Sequence, residues 1–192
     1  MLMMGAGLAP FSAAQAAGQP PGSELTASPA AARDMQRPEL QALLPEGRLI
    51  GSGRLRFWGF LVYDVRLWAS PGFKADSFAT QALALELNYL RSFDSQSVAE
   101  RSITEMRRSA PISDELAEKW MAAMRKVLPD VKKGDRLIGL HRPGVGASFW
   151  MNGLPIGDIR DAEFAKLFFG IWLSPNTSAP SLRRSVLSGA GT

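Results

Sequence analysis

The segment GSGRLRFWGFLVYDVRLW, residues 51–68, alternates between two kinds of side chain. Its odd positions from Leu55 to Leu67 are almost wholly apolar, whereas its even positions hold arginines, aromatics and one carboxylate. Successive side chains of a β-strand point to opposite faces of the sheet. The alternation therefore predicts extended structure with one face built for a core. The other face combines bulk with positive charge, as the wall of a ligand pocket does, without identifying the ligand.

Similar patterns divide the rest of the chain into strands and helices. The expected strands lie at residues 49–56, 60–69, 82–91, 136–141, 147–151 and 154–157, the last two joined by Asn152-Gly153, the strongest hairpin signal. The expected helices are capped by Asp94 or Ser95, by Ser113 and by Asp161, and the third has an apolar stripe of Phe164, Leu167, Phe168 and Ile171. This order favours an α+β fold with an antiparallel sheet over a doubly wound α/β fold.

The 192 residues suffice for one domain with a sizeable core and additional segments. Residues 1–17 combine a short apolar stretch with Ala14-Gln15-Ala16, which predicts a signal peptide cleaved near Ala16 or Ala17, although no basic residue precedes the stretch. A disordered alanine-rich tail is the alternative. Residues 18–39 are expected to form a flexible linker and residues 40–188 the domain. The mature protein is then periplasmic or secreted, with no membrane span.

Composition excludes several kinds of chemistry. The chain has no cysteine and one histidine, His141, for which a structural role is the simpler interpretation than general-base catalysis. Its net charge of +4 is scattered, with no basic run longer than a pair, so nucleic-acid binding is not expected. Phosphate-binding and nucleophile motifs do not occur. The sequence therefore predicts no metal site, no cofactor and no catalytic residue.

Arginines beside aromatics are the remaining functional pattern. A buried guanidinium needs an anionic partner, which in an apolar pocket can be a ligand carboxylate or phenolate. The alternative is that these arginines are solvated and cover apolar surface with their stems. Asp64 and Arg66, two residues apart on one face, are close enough to pair, which would be a purely structural contact. The predicted ligand-binding residues are Arg54, Arg56, Trp58, Phe60, Tyr89 and Arg91.

Four blocks carry a resemblance to a known family. They read GSGRLRFWGFLVYDVRLWA, then LELNYLRSF with AERSITEMRR, then PDVKKGDRLIGLHRPGVGASFWMNGLPIGDI, and last FFGIWLSPNTSAPSLR. Over residues 44–187 the chain resembles the chalcone isomerase-like family, specifically its bacterial secreted branch. The resemblance implies an antiparallel sheet packed on one face by a layer of helices, an open-faced β-sandwich. Plant members either cyclise chalcones to flavanones or bind fatty acids without catalysis.

The resemblance also implies an anion-holding arginine after a Gly-x-Gly-x segment. After Gly51-Ser52-Gly53 the strict position is Leu55, so Arg54 or Arg56 would take the role after a one-residue shift, and Arg56 is favoured because it is nearer the aromatics. The enzymes further use a threonine and a tyrosine. Near these positions the chain has Trp58 and Phe93-Asp94-Ser95, so neither hydroxyl matches.

We therefore expect non-catalytic binding of a small apolar or amphipathic carboxylate, such as a fatty acid, in an arginine- and aromatic-lined cleft. One alternative is an isomerase, an intramolecular lyase, acting on an unknown substrate. A second is an interaction module of the cell envelope that contacts an unidentified protein through Trp68, Trp172 and the C-terminal residues. Leu182, Val186 and Leu187 of that C-terminal segment are expected to dock on the domain.

Overall fold

The structure, a computed structural model, describes residues 38–191. The predicted signal peptide and all but the last two residues of the predicted linker lie outside this part of the chain. The strands are β1 Arg48–Phe57, β2 Phe60–Ala69, β3 Leu83–Tyr89, β4 Arg136–Arg142, β5 Gly146–Met151 and β6 Leu154–Ile159. The helices are α1 Pro38–Leu43, α2 Ser95–Met106, α3 Asp114–Val127, α4 Ala162–Leu173 and α5 Pro180–Val186, with a 3₁₀ segment at Ala75–Thr80.

The six strands form one open antiparallel sheet in the order β1-β2-β3-β4-β5-β6, so every strand pairs with its neighbours in sequence. Helices α2 and α3 lie between β3 and β4 in the chain, and α4 and α5 follow β6. Asp94, Ser113 and Asp161 cap α2, α3 and α4, each accepting a hydrogen bond from a backbone N–H of the first turn. The α+β prediction, with an antiparallel sheet under a helical layer, is confirmed.

Helix α4 is more buried than α2 and α3 on the helix-covered face of the sheet. It buries Phe164, Phe168, Phe169 and Trp172 against strand residues such as Phe149. The predicted stripe differs in part, because Ile171 is only partly buried. A helix buried on several sides at once presents more than one apolar stripe to its neighbours, so a single-stripe prediction misses Phe169 and Trp172.

The opposite face of the sheet carries a smaller core under α1. Leu40 and Leu44 pack there against Trp68, Ile138 and Leu140. The Glu39 carboxylate also forms an ion pair with Arg136, with an N···O distance of 2.6 Å. Helix α1 begins at Pro38, so the structured region extends two residues into the predicted linker.

Helix α5 lies directly on the start of β1. A Cβ atom at Gly51 would come 2.5 Å from the backbone carbonyl oxygens of Ser185 and Val186, and one at Gly53 would come 2.6 Å from Leu182. Glycine therefore permits a close approach that any side chain would block. Leu182 and Val186 are buried, and Leu187 packs on the same core, so the predicted docking of this segment is confirmed.

The surroundings of Trp68, Trp172 and Asp64 differ from those considered from the sequence. Trp68 and Trp172 are only 3% and 6% exposed, so they belong to the two cores and do not form a contact surface. Asp64 pairs across the strands with Arg54, and Arg66 reaches Glu86 at 3.4 Å. Both pairs sit directly opposite each other in the ladder, where side chains are closer than at positions two apart along one strand.

The β1–β2 connection is a two-residue turn at Trp58-Gly59, with φ values of 51° and 80°. The β5–β6 turn at Asn152-Gly153 has nearly the same geometry, with φ values of 51° and 88°. Tight hairpins favour such left-handed pairs because their twist matches that of the strands, and Asn-Gly is the preferred sequence. The first turn therefore holds a tryptophan where the backbone favours asparagine or glycine.

We expect Trp58→Asn to stabilise the protein by about 1 kcal/mol, because asparagine occupies the left-handed region at lower conformational cost than tryptophan. Urea unfolding followed by circular dichroism measures the difference. Trp58→Ala is the control, since it removes the aromatic ring but keeps the unfavourable φ. Equal stability changes in the two variants would contradict the turn as the cause.

Candidate functional site

The two arginines of β1 lie on the strand face opposite Leu55. Leu55 packs against the core under the helices. Because strand side chains alternate, Arg54 and Arg56 point to the other side of the sheet. Arg54 forms a two-pronged ion pair with Asp64, with the second N···O distance at 2.8 Å, and Arg56 is exposed. The pair raises the pKa of Arg54, through its hydrogen bond to Asp64, and for the same reason lowers that of the carboxyl.

Phe60 and Arg91 come together at the exposed end of the β1–β2 hairpin. The guanidinium carbon of Arg91 lies 4.7 Å from the centre of the Phe60 ring. In a matching contact that the sequence did not indicate, Arg101 of α2 lies 5.0 Å from the ring centre of Phe57. Arg101 is also paired with Glu105 at 2.5 Å, whereas Arg91 forms no ion pair within residues 38–191. This hairpin end therefore places two cations over two aromatic rings.

Tyr89 lies on the helix-covered side of the sheet, away from Arg54 and Arg56. It is buried and packs edge-on against Tyr63, with ring centres 6.0 Å apart. The Tyr63 hydroxyl accepts a hydrogen bond from the indole Nε1 of Trp172 at 2.9 Å. Burial raises the pKa of both phenols far above the ordinary value of tyrosine, and Trp172 opposes the shift at Tyr63. Both hydroxyls are therefore neutral at physiological pH.

A small apolar cavity lies between the sheet and α4. Its volume is about 10 Å³, roughly the space that one water molecule needs. Ligand pockets usually measure about 300–1,000 Å³, so the helix-covered core is packed and not a preformed cleft. The cavity is lined by Leu85, Leu87, Leu137, Gly139, Phe149, Phe168, Phe169 and Trp172.

Trp172 connects this cavity to the hairpin end. Its ring lines the cavity and packs on Phe168 at 5.6 Å, while its N–H bonds to Tyr63, which is only partly buried. Tyr63 pairs with Leu55 across the strands, and both residues border the same core. An aromatic series therefore runs from the partly open hairpin end to the interior, with Trp172 as the wall between them.

Sequence reasoning missed Tyr63, Trp172 and Arg101 as members of this region. Tyr63 belongs to the apolar face of residues 51–68, and that pattern predicted only a side chain in the core. Trp172 and Arg101 come from helices distant in sequence, and only the docking of α4 and α2 on the sheet brings them to Tyr63.

A second depression lies on the surface away from the predicted residues. It measures about 480 Å³ and is bordered by Arg108, Pro175, Asn176 and Thr177. Arg108 already has a hydrogen-bond partner there, since its Nε donates to the Asn176 carbonyl at 3.0 Å. The depression is open and polar, and it contains none of the predicted binding residues.

His141 has the structural role that the sequence suggested as the simpler interpretation. It is 1% exposed, its Nδ1 lies 2.9 Å from the Gln81 carbonyl oxygen, and its ring packs on Phe169. Burial lowers its pKa, and the contact with the Gln81 carbonyl acts in the opposite direction.

Among the described helices, none is both long and apolar enough to cross a membrane.

Comparisons with known proteins show the family and the fold. The family model described as chalcone isomerase-like matches residues 48–188. An uncharacterized protein of Haemophilus influenzae is 26% identical over 138 residues, which cover 72% of this chain and 66% of that protein, just under two thirds of its length. The crystal structure of a fatty-acid binding protein of Arabidopsis thaliana superposes with a TM-score of 0.57 at 14% identity. That superposition covers 74% of this chain and 87% of the plant protein.

We expect Tyr63→Phe to destabilise the fold by about 1–3 kcal/mol, because it leaves the buried N–H of Trp172 without its acceptor. Tyr89→Phe is the matched control. It should lose less than about 1 kcal/mol of unfolding free energy, because the Tyr89 hydroxyl has no comparable partner in the described chain. Denaturant unfolding of both variants gives the comparison. Equal losses would contradict a specific contribution of the Tyr63–Trp172 hydrogen bond.

Proposed function

Because this chain belongs to the chalcone isomerase-like family, we propose that it binds a small amphipathic carboxylate, such as a fatty acid, without converting it. The observation that carries the proposal is the aromatic series from the hairpin end to the cavity beside α4. The fatty-acid binding protein that shares the fold supports a lipid-like ligand. Chalcone cyclisation is not part of the proposal, since Trp58, near the expected threonine, lies exposed at a turn.

The apolar tail of the ligand enters beside Trp172 and occupies the space now filled by aromatic side chains. The cavity of about 10 Å³ holds no acyl chain, so binding requires Trp172 and Phe168 to change rotamer. Displacing Trp172 breaks its hydrogen bond to Tyr63, at a net cost of about 0.5–1.5 kcal/mol. Burial of the apolar tail offsets this cost, because each methylene removed from water contributes about 0.8 kcal/mol of favourable free energy.

The carboxylate of the ligand pairs with Arg91. Arg54 and Arg101 already pair with Asp64 and Glu105, whereas Arg91 contacts the Phe60 ring and no carboxylate of the described chain. Arg91 follows Tyr89, which faces the helices, so it stands at the entrance to the interior. Arg56, the residue that the sequence favoured, is exposed on the opposite face of β1.

Titration with dodecanoate and palmitate, followed by calorimetry and thermal unfolding, tests the proposal. We expect Arg91→Ala to weaken binding about 10- to 100-fold, the effect of losing one charge-assisted hydrogen bond. Arg56→Ala is the control and should bind as the unmodified protein does. The proposal fails if neither acid binds, and the position of the carboxylate is wrong if Arg56→Ala weakens binding while Arg91→Ala does not.

We further propose that the protein acts in the periplasm, on the basis of the apolar stretch and Ala14-Gln15-Ala16 within residues 1–17. Fractionation of a Gram-negative host that expresses the full chain should then place a shortened protein in the periplasm, beginning after Ala16 or Ala17. An intact chain retained in the cytoplasm would contradict this localisation.

A further inference from the structure

The tip of the β1–β2 hairpin, residues 57–60, exposes three large aromatic side chains together. Phe57 is 49% exposed, Trp58 86% and Phe60 60%. The tip extends past the neighbouring strand, because backbone bonding between β2 and the end of β3 stops at Val62–Leu90 while β1 and β2 remain paired as far as Phe57–Phe60. The three rings thus form a protrusion and not a patch on a flat face.

The fold itself does not account for Trp58. Its backbone is left-handed, with φ of 51°, which is unfavourable for a tryptophan. Its side chain touches the Phe57 ring at 6.3 Å between centres but buries little surface in return. The equivalent turn at Asn152-Gly153 shows which residues the geometry favours. An exposed tryptophan at such a position does not stabilise the fold, so its role is a contact with another molecule.

The charges around the hairpin tip are predominantly positive. Arg56 and Arg91 flank it and form no ion pair within residues 38–191, while Arg101 lies over Phe57. Asp64 and Glu105 form ion pairs with Arg54 and Arg101. The tip therefore offers uncompensated guanidinium groups next to its aromatic rings, which fits an anionic surface.

We propose that the hairpin tip inserts into the interfacial layer of a lipid bilayer that carries anionic phospholipids. Tryptophan concentrates at the membrane–water interface, where its ring is apolar and its N–H reaches polar groups. Arginines beside it bind lipid phosphates and are attracted by the negative surface. A protein partner fits less well, since a stable complex buries about 800 Å² on each side, more than a four-residue tip provides. This docking goes beyond the proposed ligand and does not depend on it.

Sedimentation of the full chain with lipid vesicles tests the docking. The chain should bind vesicles of phosphatidylcholine mixed with phosphatidylglycerol, and added salt should weaken the binding. Vesicles of phosphatidylcholine alone should bind it several-fold more weakly. The emission of the unmodified protein should shift to the blue on the mixed vesicles, because Trp58 leaves water.

Trp58→Asn is the decisive variant, because it suits the turn and so keeps the hairpin folded. We expect it to weaken binding to the mixed vesicles at least about tenfold, through the lost burial of one large aromatic side chain. Arg56→Ala should weaken it about fivefold. Val145→Ser is the control, since Val145 is 43% exposed in the β4–β5 turn at the opposite end of the sheet.

The proposal is overturned if the chain sediments with neither vesicle, if both vesicles bind it equally, or if Val145→Ser weakens binding as much as Trp58→Asn. Its failure is separate from that of the proposed function. Fatty-acid binding depends on Arg91 and on neither Trp58 nor Arg56, whereas vesicle binding depends on Trp58 and Arg56 in addition to Arg91.

Discussion

The packing of α4 on the sheet is the contact on which the remaining structure depends. Phe164, Phe168 and Trp172 stack along one side of this helix, and Phe168 also meets Phe149 of the sheet edge-on at 5.6 Å. Edge-to-face pairs of this kind add stability beyond their buried area. They also determine how much space remains between the layers. The same rings that hold the two layers together therefore control whether the interior can admit a ligand.

Most of the fold could be predicted from local sequence signals. Alternation identified the strands, and caps at Asp94, Ser113 and Asp161 marked the helices, because both depend on neighbours within a few residues. The Asn152-Gly153 turn was predicted for the same reason. Helix α1 was missed, because it is short and its few apolar residues are buried only by packing on the second face of the sheet. The Trp58-Gly59 turn was missed because tryptophan is a poor signal for a left-handed backbone.

The candidate site was harder to predict than the fold. Alternation separated the faces of β1, but a register shift between Leu55 and Arg56 pairs Phe60 with Phe57, so Phe60 does not share the face of Arg54 and Arg56 as predicted. The aromatic series of the interior lies on the face opposite these two arginines. The partner of Arg54 depends on strand register, and the bond between Tyr63 and Trp172 joins residues 109 positions apart. Neither can be read from spacing along the chain. Of the predicted residues, the structure brings Phe60 and Arg91 together, and it places Tyr89 among the buried aromatics on the helix-covered side.

The packing of α5 on β1 has a consequence for folding during synthesis. Gly51 and Gly53 near the start of the domain lie against residues 182–188, and the Gly189 N–H donates to the Ile50 carbonyl at 3.0 Å. Among the described elements, β1 is therefore the first strand to be synthesised, and its glycines are shielded only after the last helix, α5, has been made. Contacts between such distant segments form slowly, because a long loop must close first. Until then the nascent sheet exposes a glycine-lined strand whose correct partner has not yet been made.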